Sequence, residues 1–176
     1  VIDKVSLFCL DCGTGGGTGV EGDLTTNGDF ETGDTTDWTT FVDAPGASFS
    51  ATDTAAACGT FSGNLISDFA AGAGGAVDAV VKQANIGIGT ITPNTQVTIS
   101  FDIRGSATDG GVFFAEFFSE LSGGGTSSAV ILGGGPLTLT DNWTHYSFTT
   151  TTGSDVSGGI TLQMKTSCGP VGGCVV

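Results

Sequence analysis

Polar and apolar residues alternate along much of the chain. Residues 96–105 are apolar at every second position, beginning with Val97, and residues 144–150 and 159–164 repeat the pattern. A period of two residues places successive side chains on opposite faces of a β-strand. These segments therefore predict strands that turn one face towards a core.

Residues 111–118, with the sequence GVFFAEFF, are more continuously apolar. This run predicts a strand that is buried on both faces or is partly covered by a partner. Turn-forming Gly, Pro, Asn and Asp clusters separate the runs, for example at residues 92–94, 109–111, 123–125 and 133–136. Many short strands between such turns predict an all-β fold, an antiparallel β-sandwich or jelly roll.

The first eight residues, VIDKVSLF, also predict a strand. The apolar residues Val1, Val5 and Leu7 alternate with polar or small ones, and a glycine-rich stretch follows at residues 13–19. The spacer from residue 9 to residue 22 spans up to roughly 45 Å when extended. The opening strand is thus separated from the main body of strands that follows.

Charge narrows the range of partners. The 176 residues contain 18 Asp and Glu against 4 Lys and Arg, a net charge of -14. Binding to phosphate groups needs Lys and Arg, so nucleic acids and anionic membranes are not expected as partners. Cation binding is compatible with this charge, and plain solubility is the alternative explanation. No stretch approaches the roughly 20 apolar residues of a membrane-spanning helix, and we expect no membrane insertion.

Five cysteines in a chain rich in Ser and Thr indicate an oxidising, extracellular or cell-surface environment. Cys9 and Cys12 are one candidate disulfide pair, and Cys168 and Cys174 are the other, which leaves Cys58 over. A zinc site formed by the two pairs is the alternative.

Three blocks carry a family resemblance. They are residues 27–33 with the following Trp38, residues 97–105, and residues 142–149. In this order they resemble carbohydrate-binding module families 4, 9, 16 and 22, which are β-sandwich jelly rolls. The opening strand resembles the strand that closes such modules, here displaced to the N-terminus. The resemblance implies a closing strand at residues 1–12, a linker at 13–22 and a sandwich lacking its last strand at 23–176.

The same resemblance implies two kinds of ligand. One is polysaccharide, bound by aromatic rings that stack on sugar faces. The other is a structural calcium ion, which takes carboxylate and carbonyl oxygens. Alternatively, the aspartate of the opening block only hydrogen-bonds its own turn. The candidate sugar-binding residues are Phe41, Phe49 and Phe61, which the strand pattern leaves free to line a groove, and Tyr146, for which a structural role is the alternative. The implied calcium ligands are Asp3, Asp29 and Glu31.

Catalysis has little support in the sequence. His145 is the only histidine, and no Ser-His-Asp or Cys-His signature is present. We therefore expect a non-catalytic structural subunit or tandem-repeat module. It would bind copies of itself head-to-tail by strand complementation, with Val1, Asp3, Val5 and Leu7 as the assembly strand. The alternative is a carbohydrate-binding module of a secreted, multimodular, glycan-active enzyme.

Overall fold

The structure is a computed structural model that describes residues 1–9, 22–42, 44–69, 75–170 and 173–176, with only the backbone at positions 6, 8 and 9. The described residues form ten β-strands. They are β1 (Ile2–Cys9), β2 (Thr39–Phe41), β3 (Ala47–Thr52), β4 (Ser62–Ser67), β5 (Val77–Ile86), β6 (Gln96–Ile103), β7 (Val112–Glu120), β8 (Thr126–Ile131), β9 (Thr144–Thr151) and β10 (Gly159–Cys168).

The strands form two five-stranded sheets. Sheet A has the order β3-β4-β1-β6-β9, and sheet B has the order β2-β5-β10-β7-β8. All the strand pairs are antiparallel. The predicted all-β sandwich of the jelly-roll type is confirmed.

The core lies between the two sheets, and the alternating segments supply it. On β6, the four residues Val97, Ile99, Phe101 and Ile103 are at most 1% exposed. On β10, Ile160, Leu162 and Met164 are equally buried. Burying one such side chain stabilises the fold by about 1.5–3 kcal/mol. The period-two pattern therefore does report which face of each strand meets the core.

Strand β1 lies in the middle of sheet A, in its own chain. It pairs with β6 over most of its length and meets β4 at Ile2. The described part of residues 23–176 supplies the other nine strands, and β1 fills the position between β4 and β6. The expectation that the first strand completes another module or subunit stays a prediction. A connection of 12 residues, 10–21, keeps β1 close to the rest of its own chain. Such a tether favours intramolecular pairing at ordinary concentrations.

A β-bulge changes which residues of β1 face the core. The register with β6 shifts between Asp3 and Ser6, where Lys4 has a positive φ of 49°. Ile2, Val5 and Leu7 are consequently buried in the core. A strand without the bulge would have placed Val1 inward instead of Ile2, as strict alternation predicts.

The C-terminal segment fastens one sheet to the other. Cys168, at the end of β10 in sheet B, forms a disulfide with Cys174. Cys174 in turn accepts a backbone hydrogen bond from Phe69, just after β4, and Val176 exchanges backbone hydrogen bonds with Ser67, the last residue of β4 in sheet A. The described residues include no helix with the length and hydropathy needed to span a membrane.

Candidate functional site

The outer face of sheet B carries aromatic and apolar side chains among polar ones. The register aligns Phe41, Val80, Lys165 and Phe114 in one row across β2, β5, β10 and β7. The neighbouring rows are Thr39, Lys82, Gln163, Glu116 and Ile131, and then Thr161, Phe118 and Ala129. We call these three rows the sheet-B face.

Strand β7 shows how one apolar run serves both the core and this face. Phe113 and Phe117 are buried in the core, whereas Phe114 and Phe118 are half-buried on the outer side. Farther out, Phe41 is 47% exposed and Ile131 is 45% exposed. Sequence reasoning did not single out Phe114 and Phe118, because the continuously apolar run predicts a strand that is buried on both faces or partly covered by a partner. The available signal was Glu116, a charged residue on the same side of the strand as these two rings.

The charged and amide groups of the sheet-B face have partners on neighbouring strands. Lys165 Nζ lies 2.7 Å from Asp78 Oδ2, and Gln163 Nε2 donates to Glu116 Oε2 at 2.5 Å. Lys82 Nζ lies 5.1 Å from the centroid of the Phe41 ring, a cation–π contact. These contacts hold the long side chains across the sheet and so order the polar groups that surround the rings.

The pKa of Asp78 reflects this arrangement. Partial burial raises it, but hydrogen bonds from Lys165 and Ser167, together with the positive charge of Lys165, lower it further than burial raises it. The pKa therefore lies below that of an ordinary aspartate. Asp78 is ionised at neutral pH and balances Lys165.

A pocket of about 420 Å³ lies at one end of the sheet-B face, and we call it the end pocket. Its lining includes Lys82 and Asn85 of β5, Glu120 at the end of β7, and Thr161 of β10. A second cavity of about 230 Å³ lies at the other end of the sandwich and is mostly apolar. Its lining includes Ile2, Ile103 and Phe113.

The four predicted sugar-binding residues do not come together. Phe41 lies on the sheet-B face. Phe49 packs edge-on against Phe30 at 5.8 Å, and Phe61 packs beside the core. Tyr146 is paired with Phe101 on the inner side of sheet A and donates its hydroxyl hydrogen to the carbonyl of Thr138 at 2.9 Å. Their role in sugar binding stays a prediction.

The predicted calcium ligands accept hydrogen bonds from backbone N–H groups. Asp3 Oδ2 accepts from Ala57 and Cys58 at 2.7 and 3.2 Å, and Glu31 Oε1 accepts from Thr60 and Phe61, both at 2.8 Å. The two carboxylates thus anchor one loop, at residues 57–61. Burial raises the pKa of Asp3 by more than the hydrogen bonds from Cys58, Ala57 and Lys4 lower it.

Asp29 accepts a hydrogen bond from the backbone N–H of Glu31, within its own turn, at 3.3 Å. Within the described ranges, no group of three or more His, Cys, Asp or Glu residues is arranged to hold a metal ion. Calcium would therefore need backbone carbonyl oxygens to complete its six to eight ligands. Calcium binding stays a prediction.

The predicted assembly strand sits in a specific seat, formed by the segment from Asp23 to Gly28 on the side of β1 opposite to β6. The buried Asp23 accepts a hydrogen bond from the backbone N–H of Leu7 at 3.0 Å. Thr25 donates its hydroxyl to the Val5 carbonyl at 3.0 Å, and the Val5 N–H donates to the Gly28 carbonyl at 2.8 Å. A Cβ atom at Gly28 would collide with the carbonyl oxygen of Val5. The seat therefore requires glycine at that position.

The cysteine predictions have different outcomes. The bond between Cys168 and Cys174 leaves no thiolate of that pair for zinc. The side chain of Cys9 and the whole of Cys12 lie outside the described residues, as does most of the predicted linker at 13–22. Cys58 is exposed and is a free thiol.

Comparison with solved structures gives the fold family. The chain matches a carbohydrate-binding module of family 16 with a TM-score of 0.53 and 19% identity, over 86% of this chain and 92% of that one. It matches TmCBM61, solved with β-1,4-galactotriose, with a TM-score of 0.52 and 17% identity, over 86% and 90%. The chain therefore shares the β-sandwich fold of these two modules. The resemblance found in the sequence is confirmed at this level.

A longer protein contains the same fold. The enzymatically active domain of tailspike protein 4 from bacteriophage CBA120 matches with a TM-score of 0.63 and 10% identity. The match covers 86% of this chain, which corresponds to only 20% of the tailspike chain. No family model and no curated protein sequence matches the chain. At these identities the likeness shows the fold alone.

Proposed function

We propose that this protein is a non-catalytic module of a secreted protein and binds a neutral polysaccharide through the sheet-B face. The observation that carries the proposal is a group of half-buried and exposed rings on one face, with Phe41 and Phe114 in one row and Phe118 two rows away. The row between them supplies Lys82, Gln163 and Glu116. Sugar rings offer apolar faces for stacking and a rim of hydroxyl groups for hydrogen bonds. The sheet-B face offers partners for both.

Charge favours an uncharged glycan over an acidic one. The chain carries a net charge of -14, which repels polyanions. The two lysines of the sheet-B face are already engaged, Lys165 with Asp78 and Lys82 with the Phe41 ring. A carboxylate or sulfate group would have to displace these partners before it could bind.

The test is isothermal titration calorimetry against a panel of polysaccharides. The neutral set is xylan, mixed-linkage β-glucan, glucomannan and β-1,4-galactan, and the acidic set is alginate and polygalacturonate. We expect binding to a member of the neutral set only. Phe114→Ala should weaken it about tenfold, since one aromatic stacking contact contributes about 1.4 kcal/mol.

The matched control is Phe148→Ala. Phe148 is a half-buried ring on an edge strand of sheet A and packs inward against Phe101 and Tyr146. This variant should lose stability and keep full affinity. Unchanged affinity in Phe114→Ala, or affinity for the acidic set alone, would contradict the proposal.

Strand exchange between copies is a second candidate function, and the seat of β1 favours it. The contacts that Asp23, Thr25 and Gly28 make with β1 are equally available to the same strand of another copy. An exchange of this kind is head-to-tail and produces a fibre when it does not close. The strand and the seat would then be the two halves of the subunit interface.

Two defective variants test strand exchange by mixing. Val5→Asp with Leu7→Asp places charges on the buried face of β1 but keeps the seat intact. Gly28→Ala disrupts the seat but keeps β1 intact. If exchange occurs, a refolded mixture should give a 1:1 heterodimer on size-exclusion chromatography that unfolds cooperatively. Filaments of the native protein in negative-stain electron microscopy would agree. A mixture that behaves as the sum of its two components would refute exchange.

A further inference from the structure

The end pocket lies where the sheet-B face meets the turns at one end of the sandwich. Its floor is Thr161, which lies on the outer side of β10 and is nevertheless only 2% exposed. Thr161 is therefore well covered by its neighbours, and the pocket is a partly open depression between the turns at this end of the face.

Two turns form the side walls. On the β5 side, the turn at residues 87–90 follows the strand and is closed by hydrogen bonds from Thr90 and Ile91 to the Gly87 carbonyl, both at 2.9 Å. On the β7 side, the hairpin to β8 is closed by a hydrogen bond from Leu121 to the Gly125 carbonyl at 2.9 Å. Each wall is thus held by its own backbone.

The third wall is the segment that leads into β10. The backbone N–H of Ser122 donates to Ser157 Oγ at 3.0 Å, and that of Gly158 donates to the Glu120 carbonyl at 2.9 Å. These bonds tie the hairpin to the segment before β10 and close the pocket in the direction of that strand. A polysaccharide chain that follows β10 along the face would meet this wall.

The pocket has the chemistry to hold one sugar unit. The Asn85 amide supplies hydrogen-bond donors, and the Glu120 carboxylate and the Asn85 amide oxygen supply acceptors. Sugar hydroxyl groups both donate and accept, and hydrogen bonds to charged groups are the stronger ones. Ile88, 54% exposed at the rim, adds an apolar surface. A volume of about 420 Å³ lies within the range of small-ligand sites.

We propose that the end pocket binds the terminal unit of a neutral glycan, so that the protein recognises chain ends rather than chain interiors. This inference rests on glycan binding at the sheet-B face, and it adds which part of the glycan is held. The sheet-B face would bind the units that follow the terminal one. Affinity should then depend on the number of chain ends and not on the mass of polymer.

The test uses the neutral polysaccharide identified by calorimetry, intact and after partial enzymatic shortening. At equal mass, the shortened sample should take up more protein, in proportion to its chain ends. Glu120→Gln removes a charged acceptor without changing side-chain size, and Asn85→Gly removes the amide while tolerating the φ of 60° at this position. Each variant should lose at least tenfold in affinity for short oligosaccharides. On the long polymer, each variant should keep only the binding that the sheet-B face makes with units inside the polysaccharide chain.

The outcomes separate the two proposals. Phe114→Ala should weaken binding to oligosaccharides and long polymer alike. If the end-pocket variants bind both samples as the native protein does, or if uptake follows mass rather than chain ends, recognition of chain ends is overturned and glycan binding stands. If the native protein binds none of the glycans, both proposals fail.

Discussion

The outer faces of the two sheets differ sharply, although both belong to one sandwich. Sheet A presents mainly hydroxyl and other small polar groups, and Ile66 is the one large apolar side chain among those described there. Sheet B presents three phenylalanine rings and Ile131. The described outward residues of sheet A include Lys4, Ser48, Ser50, Asn64, Ile66, Gln96, Thr98, Ser100, Asp102, His145, Ser147, Thr149 and Thr151.

The comparison shows that solvent exposure alone does not explain the sheet-B face. Among the outward side chains that the structure describes, the sheet-B face carries three phenylalanine rings and the outer face of sheet A carries none. Contiguous exposed apolar surface indicates a binding site. The distinctive feature of sheet A lies inside it, where the seat holds β1. Sheet A therefore carries the buried seat of β1, and sheet B carries the surface through which we propose that a glycan binds.

The largest expected effect comes from breaking the seat in sheet A. In Gly28→Ala, the added Cβ collides with the backbone of Val5, which cannot rotate away as a side chain could. We expect a loss of at least about 3 kcal/mol of stability, since a clash with backbone in a packed region is among the costlier substitutions. Thermal unfolding should show a midpoint about 10 °C lower.

Gly135→Ala is the control for that experiment. An added Cβ at Gly135 meets no atom within 4 Å, and its φ of 178° is extended backbone that alanine adopts freely. Its stability should stay within about 0.5 kcal/mol of the native protein. Equal midpoints for the two variants would mean that β1 is not held as the structure shows.

A smaller effect should follow from cutting the link between the sheets. Cys168→Ala with Cys174→Ala removes the disulfide that fastens β10 to the segment beside β4. The enclosed loop is short, so we expect a loss of about 2 kcal/mol. Differential scanning calorimetry should detect it, and affinity at the sheet-B face should be unchanged. A parallel fall in glycan affinity would mean that the two sheets do not serve separate roles.

The fold followed from the sequence because alternation is a local property. The run beginning at Val97 predicts a strand from its own residues, and the structure places that strand at Gln96–Ile103. Each such segment needs only its neighbours along the chain to define its buried face. The sandwich class then follows from the number of strands and the turns between them.

The candidate site could not be predicted in the same way, because it depends on which strands lie side by side. Phe41 reaches Val80 across 39 residues of sequence, and Lys165 reaches Phe114 across 51. Nothing local to Phe41 or Phe114 reveals that they share a row. For the same reason the sequence does not separate Phe41, which lies on the sheet-B face, from Phe49 and Tyr146, which pack against the core.

The smallest expected effect concerns the ion pair between Asp78 and Lys165 at the margin of the sheet-B face. The pKa of Asp78 is lower in the folded chain than in the unfolded chain, so the pair stabilises the fold above the ordinary aspartate pKa of about 3.9. That stability is lost as the pH falls through the lowered value. Because both groups are partly exposed, the contribution is below about 1 kcal/mol. Melting curves of the native protein and Asp78→Asn should differ at pH 7 and converge towards pH 2. A difference that stays constant with pH would show that the ion pair contributes nothing and that Asp78 stabilises sheet B by hydrogen bonding alone.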